Sequence, residues 1–302
     1  MKVAVEFPSV AYREGPEKVL ELARAIEDIG YDEIAAFDHV VMGYPNETRR
    51  TIYPAQMPIL EALMLLSNVA AVTERVSLST EVLVLPQRQP VLVAKQISTL
   101  DTLSGGRVRL GVGVGWQDSE YEALEEDFTN RGKRMDEAID LLRAYWAGGV
   151  VGYEGEHYDS RDMGMEPVSP QGAALPIWVG GESPAAIRRT AEKGDGWMAS
   201  GLTDEQALTL KDQIFERAEA AGRDRSEIGM QLMLAPPPRT DADKQFYGDL
   251  DRVEERAAVV AAMGFDWTAV NATAIFQAGA RSVDAMIDQL QQIHERIRRA
   301  TT

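Results

Sequence analysis

Asp38 and His39 are the adjacent residues best suited to proton transfer in this sequence, and they follow the apolar run Glu33–Phe37. Histidine titrates near neutral pH, so it can give or take a proton, and a nearby carboxylate can hold its ring in place. Neighbouring residues on a strand point to opposite faces, so the two side chains need not touch. A single histidine at a strand end is also a common structural residue. Both interpretations of His39 stay open.

A second candidate site is the stretch PIWVGGESP at residues 176–184, which predicts a strand, a glycine turn and the start of a helix. Ser183 can cap that helix, and Pro184 suits its first position. A helix N-terminus reached through Gly180 and Gly181 has free N–H groups that suit an anion. An ordinary connection between strand and helix uses the same residues, so two interpretations remain.

The stretch GGRVRLGVGVGW at residues 105–116 predicts a strand with Gly111, Gly113 and Gly115 on one face. Glycines on one face of a strand mark a place where something bulky approaches the backbone. Both a flat ring system and another element of the protein are bulky enough to be the group that approaches. A dinucleotide fingerprint is excluded, because Trp116 stands where that motif needs its third glycine.

Composition excludes several classes of function. The chain has 302 residues, 45% of them hydrophobic, a formal charge of −17 and no cysteine. The negative charge argues against binding to nucleic acid or anionic membranes. Disulfides and thiolate chemistry are excluded, and three scattered histidines do not predict a metal site. Without a signal-like or membrane-spanning segment, we expect a cytoplasmic protein that acts on a small molecule.

Apolar β-rich runs alternate with helical patterns along the whole chain. The predicted strands are Lys2–Pro8, Glu33–Phe37, Val76–Leu85, Val108–Val114, Ile177–Gly180, Gly196–Ser200, Gly229–Leu234 and Thr268–Ala272. The predicted helices are Pro16–Ile29, Met57–Thr73, Val91–Leu103, Arg134–Trp146, Pro184–Lys193, Asp204–Ala221, Asp251–Met263 and Val283–Arg299. Eight of each favour an α/β fold, a (β/α)₈ TIM barrel formed as one domain over residues 1–302. A doubly wound open sheet is the alternative.

Residues 148–176 interrupt this alternation with a long excursion between helix 4 and strand 5. Loops of that length are often lids, so we expect the segment to help close the site. In such barrels the active site lies at the carboxyl ends of the strands. The apolar residues expected to line a substrate pocket there are Phe7, Met42, Trp116 and Trp197.

The order of these motifs resembles that of the luciferase-like flavin-dependent oxidoreductases. The resemblance rests on Asp38-His39, TEVLVLP at 80–86, the glycine strand, IWVGG at 177–181 and GDGW at 194–197. It implies a (β/α)₈ barrel that binds FMN or the deazaflavin coenzyme F420 at its carboxyl face. Cofactor contacts are implied at Asp38, Thr80, Glu81, Val82, Gly113, Ser119, Gly180 and Gly181. His39 is implied beside the reacting ring, as proton donor or as support, and a cis peptide at Glu81–Val82.

Two departures from the family pattern bear on the reaction. Sugar-phosphate and secondary-alcohol dehydrogenases of the family carry a glutamate where Trp116 stands and a tryptophan where Gly43 stands. FMN-using luciferases carry a strand-four arginine where Val114 stands. We therefore expect hydride transfer between F420 and a small apolar or aromatic substrate. Barrels of this kind commonly pair through their helices, so we also expect a homodimer. The alternatives are an FMN-dependent monooxygenase and a flavin-binding barrel without catalysis.

Overall fold

The computed structural model describes residues 1–47, 49, 51–235, 243 and 245–301. The strands are β1 (Lys2–Glu6), β2 (Glu33–Ala36), β3 (Ser77–Thr80), β4 (Leu83–Val84), β5 (Val108–Gly113), β6 (Val151–Glu154), β7 (Asp159–Met163), β8 (Ile177–Gly180), β9 (Gly196–Ala199), β10 (Gly229–Met233) and β11 (Trp267–Asn271). The α-helices are α1 (Pro16–Ile29), α2 (Ala62–Ala70), α3 (Pro90–Ser104), α4 (Asp118–Ala123), α5 (Arg131–Trp146), α6 (Pro184–Lys193), α7 (Asp204–Ala220), α8 (Leu250–Ala262), α9 (Ala272–Ala278) and α10 (Val283–Thr301). In these ranges, no helix has the length and apolar character needed to cross a membrane.

The main sheet is a closed parallel barrel, which confirms the predicted fold. Its order is β3-β2-β1-β11-β10-β9-β8-β5-β4, and β3 also pairs with β5, so β3 and β4 together fill one of eight positions. The predicted strand 76–85 is interrupted at Glu81–Val82, where the peptide bond is cis, as the resemblance implies. The helix predicted from Met57 begins only at Ala62. Pro58 disfavours helix at the residue before it, and Glu61 accepts a hydrogen bond from the backbone N–H of Met64 at 2.8 Å.

Side chains alternate between the barrel interior and the layer facing the helices. Ala4, Met233 and Ala269 form a small apolar group inside the barrel. Val3 and Val5, on the other face of β1, belong to the large core between strands and helices. This alternation decides which residues near the strand ends can face a ligand.

The glycine face of β5 receives the protein's own chain. A Cβ on Gly111 would overlap the carbonyl oxygen of Thr80, and one on Gly113 would lie 2.6 Å from a methyl carbon of Val82. A Cβ on Gly115 would lie 2.7 Å from a methyl carbon of Val84. The sequence allowed either a flat ring system or another element of the protein to approach these glycines. The structure therefore supports the second alternative, because the segment joining β3 to β4 approaches them.

Two tryptophans and an arginine fill the amino end of the barrel. The Trp178 ring occupies the space that a Cβ on Gly196 or Gly229 would need. The guanidinium of Arg109 lies 4.0 Å from the Trp178 ring centroid and 4.5 Å from that of Trp267. Arg109 also forms an ion pair with Glu33, buried in the barrel interior. The lower barrel is thus packed with large side chains and a compensated charge.

The excursion at residues 148–176 lies between α5 and β8, which are the fourth large helix and the fifth strand of the barrel, as predicted. Its strands β6 and β7 form an antiparallel pair. Ser160 hydrogen bonds Tyr145 of α5 at 2.6 Å, and Ser98 of α3 donates to the carbonyl of Pro167 at 2.6 Å. These contacts fix the segment to two helices that surround the barrel, and its role in closing the site stays a prediction.

Replacing Gly111 with alanine tests the close approach at β5. The new Cβ would overlap a backbone oxygen, which cannot move away as a side chain does, so we expect Gly111→Ala to lower the free energy of unfolding by about 3 kcal/mol. Gly132→Ala, in α5, is the control, because its Cβ would have no neighbour closer than 3.9 Å. Its unfolding free energy should stay within about 0.5 kcal/mol of the wild type. Equal stability of the two variants in urea denaturation would contradict this account.

Candidate active site

His39 is held by a buried carboxylate at the carboxyl end of the barrel. Its Nδ1 lies 2.9 Å from Oε2 of Glu120, and both side chains are buried. The other carboxylate oxygen, Oε1, accepts the backbone N–H of Val40 at 2.8 Å. Because a carboxylate only accepts hydrogen bonds, Nδ1 carries the hydrogen and Nε2 is the ring nitrogen left for proton exchange. One acidic side chain thus fixes both the ring and the backbone that follows it.

Sequence reasoning missed Glu120. It lies in the six-residue helix α4, where Asp118 and Glu122 are also acidic, and nothing in that spacing distinguishes the buried member. Its contact with His39 spans 81 residues of chain. Only the fold brings α4 against the segment after β2.

Aromatic rings surround His39 at the mouth of the barrel. The His39 ring centroid lies 4.9 Å from that of Phe37, 5.9 Å from that of Tyr53 and 5.5 Å from that of Trp116, all with edge-on geometry. Trp116 is 44% exposed, so a large apolar surface faces solvent beside the histidine. Met42 is half-buried in the loop after β2, which also carries His39. That Trp116 and Met42 line a substrate pocket stays a prediction.

Asp38 is buried beside β4, and both of its oxygens have protein partners. Oδ2 accepts the backbone N–H of Val84 at 2.9 Å, and Oδ1 accepts a hydrogen bond from Arg88 at 2.7 Å. Burial raises the pKa of Asp38, although the Arg88 charge opposes the rise. In this structure Asp38 anchors the β4 segment, and its contact with a cofactor stays a prediction.

The predicted cofactor contacts Thr80, Val82, Gly113 and Gly180 form one packed unit. Thr80 donates a hydrogen bond to the carbonyl of Gly111 at 2.6 Å. The methyl groups of Val82 approach Gly113 and Gly180, where an added Cβ would lie 2.6 Å and 2.9 Å away, respectively. Two glycines of the site therefore accommodate Val82, and this unit forms a compact wall of the barrel mouth.

The glycine turn after β8 has the predicted local structure. Gly181 is exposed with φ of +113°, which favours glycine, and Ser183 caps α6 by accepting the N–H of Ala186 at 3.2 Å. The indole N–H of Trp197 donates to the Gly181 carbonyl at 2.9 Å, which fixes the turn to β9. The turn thus presents its remaining backbone to solvent at the edge of the site.

Two of the predicted pocket residues, Phe7 and Trp197, lie away from the barrel mouth. Trp197 is fully buried with its ring centroid 6.4 Å from that of Phe265, in the layer between strands and helices. Phe7 is buried in the same layer, on the outward face that continues Val3 and Val5. Alternation along each strand turns Phe7 and Trp197 away from the interior, so the structure does not bring them together with His39 and Trp116.

Ser119 is buried against Gly43 in the loop after β2. A Cβ on Gly43 would lie 2.7 Å from Oγ of Ser119 and 2.8 Å from Cδ of Arg49. A larger side chain at residue 43 has no space in this arrangement. Ser119 supports the loop in this structure, and its contact with a cofactor stays a prediction.

Glu6 and Glu81 lie inside the barrel at the level of the site. Oε2 of Glu6 accepts a hydrogen bond from Asn271 at 2.7 Å, and Oε1 of Glu81 accepts one from Gln231 at 2.5 Å. Burial raises the pKa of Glu6 to about 8, and the charge of Glu81 adds to the rise. Burial likewise raises the pKa of Glu81 to about 7, against the opposing charge of Arg109. The mouth thus has acidic side chains that hold protons near neutral pH.

Comparison with known proteins identifies the family. The model of the luciferase-like monooxygenase family matches residues 3–245. The chain belongs to this family. It is also 35% identical over 211 residues to Rv0940c of Mycobacterium tuberculosis, a relative described as uncharacterized, across 68% of this chain and 72% of the relative.

Two further comparisons indicate the range of this luciferase-like family. The chain is 28% identical over 244 residues to an F420-dependent glucose-6-phosphate dehydrogenase of Nocardia farcinica, across 78% of this chain and 69% of that enzyme. The crystal structure of the monooxygenase RslO1 from Streptomyces bottropensis superposes with a TM-score of 0.81 at 20% identity, over the full length of both chains. At that identity the likeness establishes the shared fold. Family membership supports a luciferase-like oxidoreductase or monooxygenase.

Glu120→Gln tests whether the carboxylate sets the hydrogen position on His39. An amide group has one accepting and one donating end, so Oε1 can still serve Val40 while the nitrogen faces Nδ1. We expect ¹⁵N NMR to show the His39 hydrogen moving from Nδ1 to Nε2, with the thermal midpoint changed by only a few degrees. Glu122→Gln, on the exposed side of α4, should leave the His39 spectrum unchanged. An unaltered tautomer in Glu120→Gln would refute the assignment.

Proposed function

We propose that this protein transfers a hydride between coenzyme F420 and a small apolar or aromatic organic substrate. The observation that carries the proposal is the buried His39–Glu120 pair beside exposed aromatic surface, on a chain related to F420-dependent dehydrogenases. A fixed histidine with one free ring nitrogen suits proton transfer coupled to hydride transfer. Exposed Trp116 offers the flat apolar surface that a ring-containing ligand needs.

The residues of the mouth fit a flat cofactor with an anionic tail. The wall formed by Val82, Gly113 and Gly180 is apolar and compact, which suits one face of a ring. The exposed turn at Gly181 precedes the N-terminus of α6, where the positive end of the helix dipole suits a phosphate. When bound, F420 supplies the hydride-transfer chemistry, and the protein supplies position and electrostatics.

Each residue around His39 has a separate task in this proposal. Nε2 of His39 holds or takes up the proton that accompanies hydride transfer. Glu120 keeps the ring oriented and its Nδ1 hydrogen in place. Trp116 and Tyr53 contact the substrate and keep water from the reacting atoms.

The substrate class follows from two positions where this chain departs from its dehydrogenase relatives. Gly43 is packed against Ser119 and Arg49, so the family's tryptophan has no room there. Trp116 replaces the carboxylate implied for sugar-phosphate and alcohol oxidation. Val40, Val41 and Tyr44 are exposed in the same loop, which favours an apolar partner. We therefore favour an apolar or aromatic substrate over a sugar phosphate.

An FMN-dependent monooxygenase that activates oxygen is the second candidate. The TM-score of 0.81 with the monooxygenase RslO1 supports it at the level of the fold. Val114 stands where the resemblance places a phosphate-binding arginine in FMN-using luciferases, which favours F420. Oxygen consumption coupled to substrate distinguishes the two, because a deazaflavin reacts poorly with oxygen.

Cofactor titration of the purified protein tests the proposal. We expect fluorescence to show binding of F420 at micromolar concentration or below, and weaker binding of FMN. His39→Ala should retain that affinity while lowering turnover about 100-fold or more, the usual contribution of a proton-transfer group. His157→Ala, in the hairpin beyond α5, should retain both affinity and turnover. Preference for FMN would favour the monooxygenase, and binding of neither cofactor would reject both.

A further inference from the structure

The interior of the barrel mouth holds two carboxyl groups whose partners are neutral amides. Glu6 is the last residue of β1 and is 6% exposed. Its amide partner is Asn271 of β11, and that of Glu81 is Gln231 of β10. A neutral amide satisfies one oxygen without removing the charge. The second oxygen of Glu81, Oε2, is buried without a hydrogen-bond partner among the residues that the structure describes.

The positive charge of Arg109 lies below Glu6 and Glu81 in the barrel interior and is already used in an ion pair. Arg109 forms an ion pair with Glu33 and donates to the Gln231 side-chain oxygen at 2.7 Å. Glu33 and Glu81 therefore set two carboxyl groups against this guanidinium, and Glu6 adds a third carboxyl group to the interior. Ionised carboxylates without a partner are costly in a low-dielectric interior, and retaining a proton relieves that cost.

The phenols that face the pair do not compensate its charge. Burial raises the pKa of Tyr53, and the charge of Glu6 adds to the rise. Burial also raises the pKa of Tyr247, whose hydroxyl accepts the backbone N–H of Asn271 at 3.0 Å. Both phenols thus remain neutral donors at neutral pH. The raised pKa values of Glu6 and Glu81 agree with this arrangement of charges.

We propose that Glu6 and Glu81 share one proton at neutral pH and deliver it to the substrate. The inference rests on the proposed hydride transfer. In the reducing direction, one atom of a substrate double bond takes the hydride with its electron pair, and the reduced deazaflavin is oxidised. The other atom takes the proton from the Glu6–Glu81 pair. His39 takes up the proton that the reduced cofactor loses, and solvent reprotonates the pair.

This arrangement gives the reaction two proton-handling groups with different positions. His39 lies among the aromatic rings after β2, and the Glu6–Glu81 pair lies inside the barrel. A substrate reduced here carries an unsaturated bond with a proton-accepting end, such as an enone or an imine. The Glu6–Glu81 pair thereby requires a proton-accepting atom in the substrate, which the aromatic surface alone does not require.

Titration of the cofactor-free protein tests the pair directly. With ¹³C-labelled glutamate, NMR should show one protonated carboxyl at pH 7 in the wild type. Glu6→Gln removes the neighbouring charge, so Glu81 should ionise at a lower pH, and Glu81→Gln should have the matching effect on Glu6. Glu216→Gln, on the exposed face of α7, should leave both signals unchanged. Ionisation of both carboxyls below pH 5 in the wild type would overturn the proposal.

The pH dependence of stability is a second measurement that needs no cofactor. A carboxyl whose pKa is higher in the folded state than in the unfolded chain stabilises fully below the unfolded value of about 4.5, and this stabilisation is lost as pH rises through about 8. The free energy of unfolding of Glu6→Gln should therefore fall less than that of the wild type over this range. If Glu81→Gln does not fold, Glu6→Gln alone decides the matter. An unchanged slope in Glu6→Gln would count against the pair.

Activity then separates this proposal from the proposed function. Both glutamine variants should have kcat lowered about 100-fold, and Glu6→Gln should bind F420 as the wild type does. The kcat that remains should lose the decline that the wild type shows as pH rises through about 8. Full activity in both variants would reject the pair and leave the hydride-transfer proposal standing. If the wild type binds no cofactor, the proposed function fails although the titration stands.

Discussion

The close approach between the β3–β4 segment and the glycine face of β5 sets the geometry of the site. Thr80, Val82 and Val84 each come so near to β5 that a side chain larger than hydrogen has no space opposite. The same contact turns Glu81 toward Gln231, across the barrel interior. Asp38 and Arg88 then hold the end of the segment. A single steric requirement on β5 therefore shapes the wall and the acidic interior together.

Buried carboxylates organise the loops above this framework. Glu120 satisfies the ring of His39 and the backbone of Val40, and Asp38 satisfies the backbone of Val84. Irregular chain has no ladder partners for its N–H groups, so side-chain acceptors must replace them. The acidic composition of the protein thus includes structural carboxylates as well as surface charge.

The sequence was sufficient to predict the barrel, the place of His39 and the turn at Gly180–Gly181, because periodicity and local turn chemistry determine them. It could not determine which face of a strand end looks inward, so Phe7 and Trp197 were assigned to the pocket although they pack against helices. The sequence could not decide what approaches the glycine face of β5, because a ligand and a neighbouring strand both require the absence of a Cβ. The role of Glu120 could not be predicted, because it depends on a contact between distant parts of the chain.

The tryptophans at the amino end close that end of the barrel interior with packed side chains. Trp178 fills the space over Gly196 and Gly229, and Arg109 lies against it and Trp267. Water that reached Glu6 and Glu81 from the amino end would have to displace these packed side chains. Proton exchange between the interior carboxyl groups and solvent is therefore expected at the mouth.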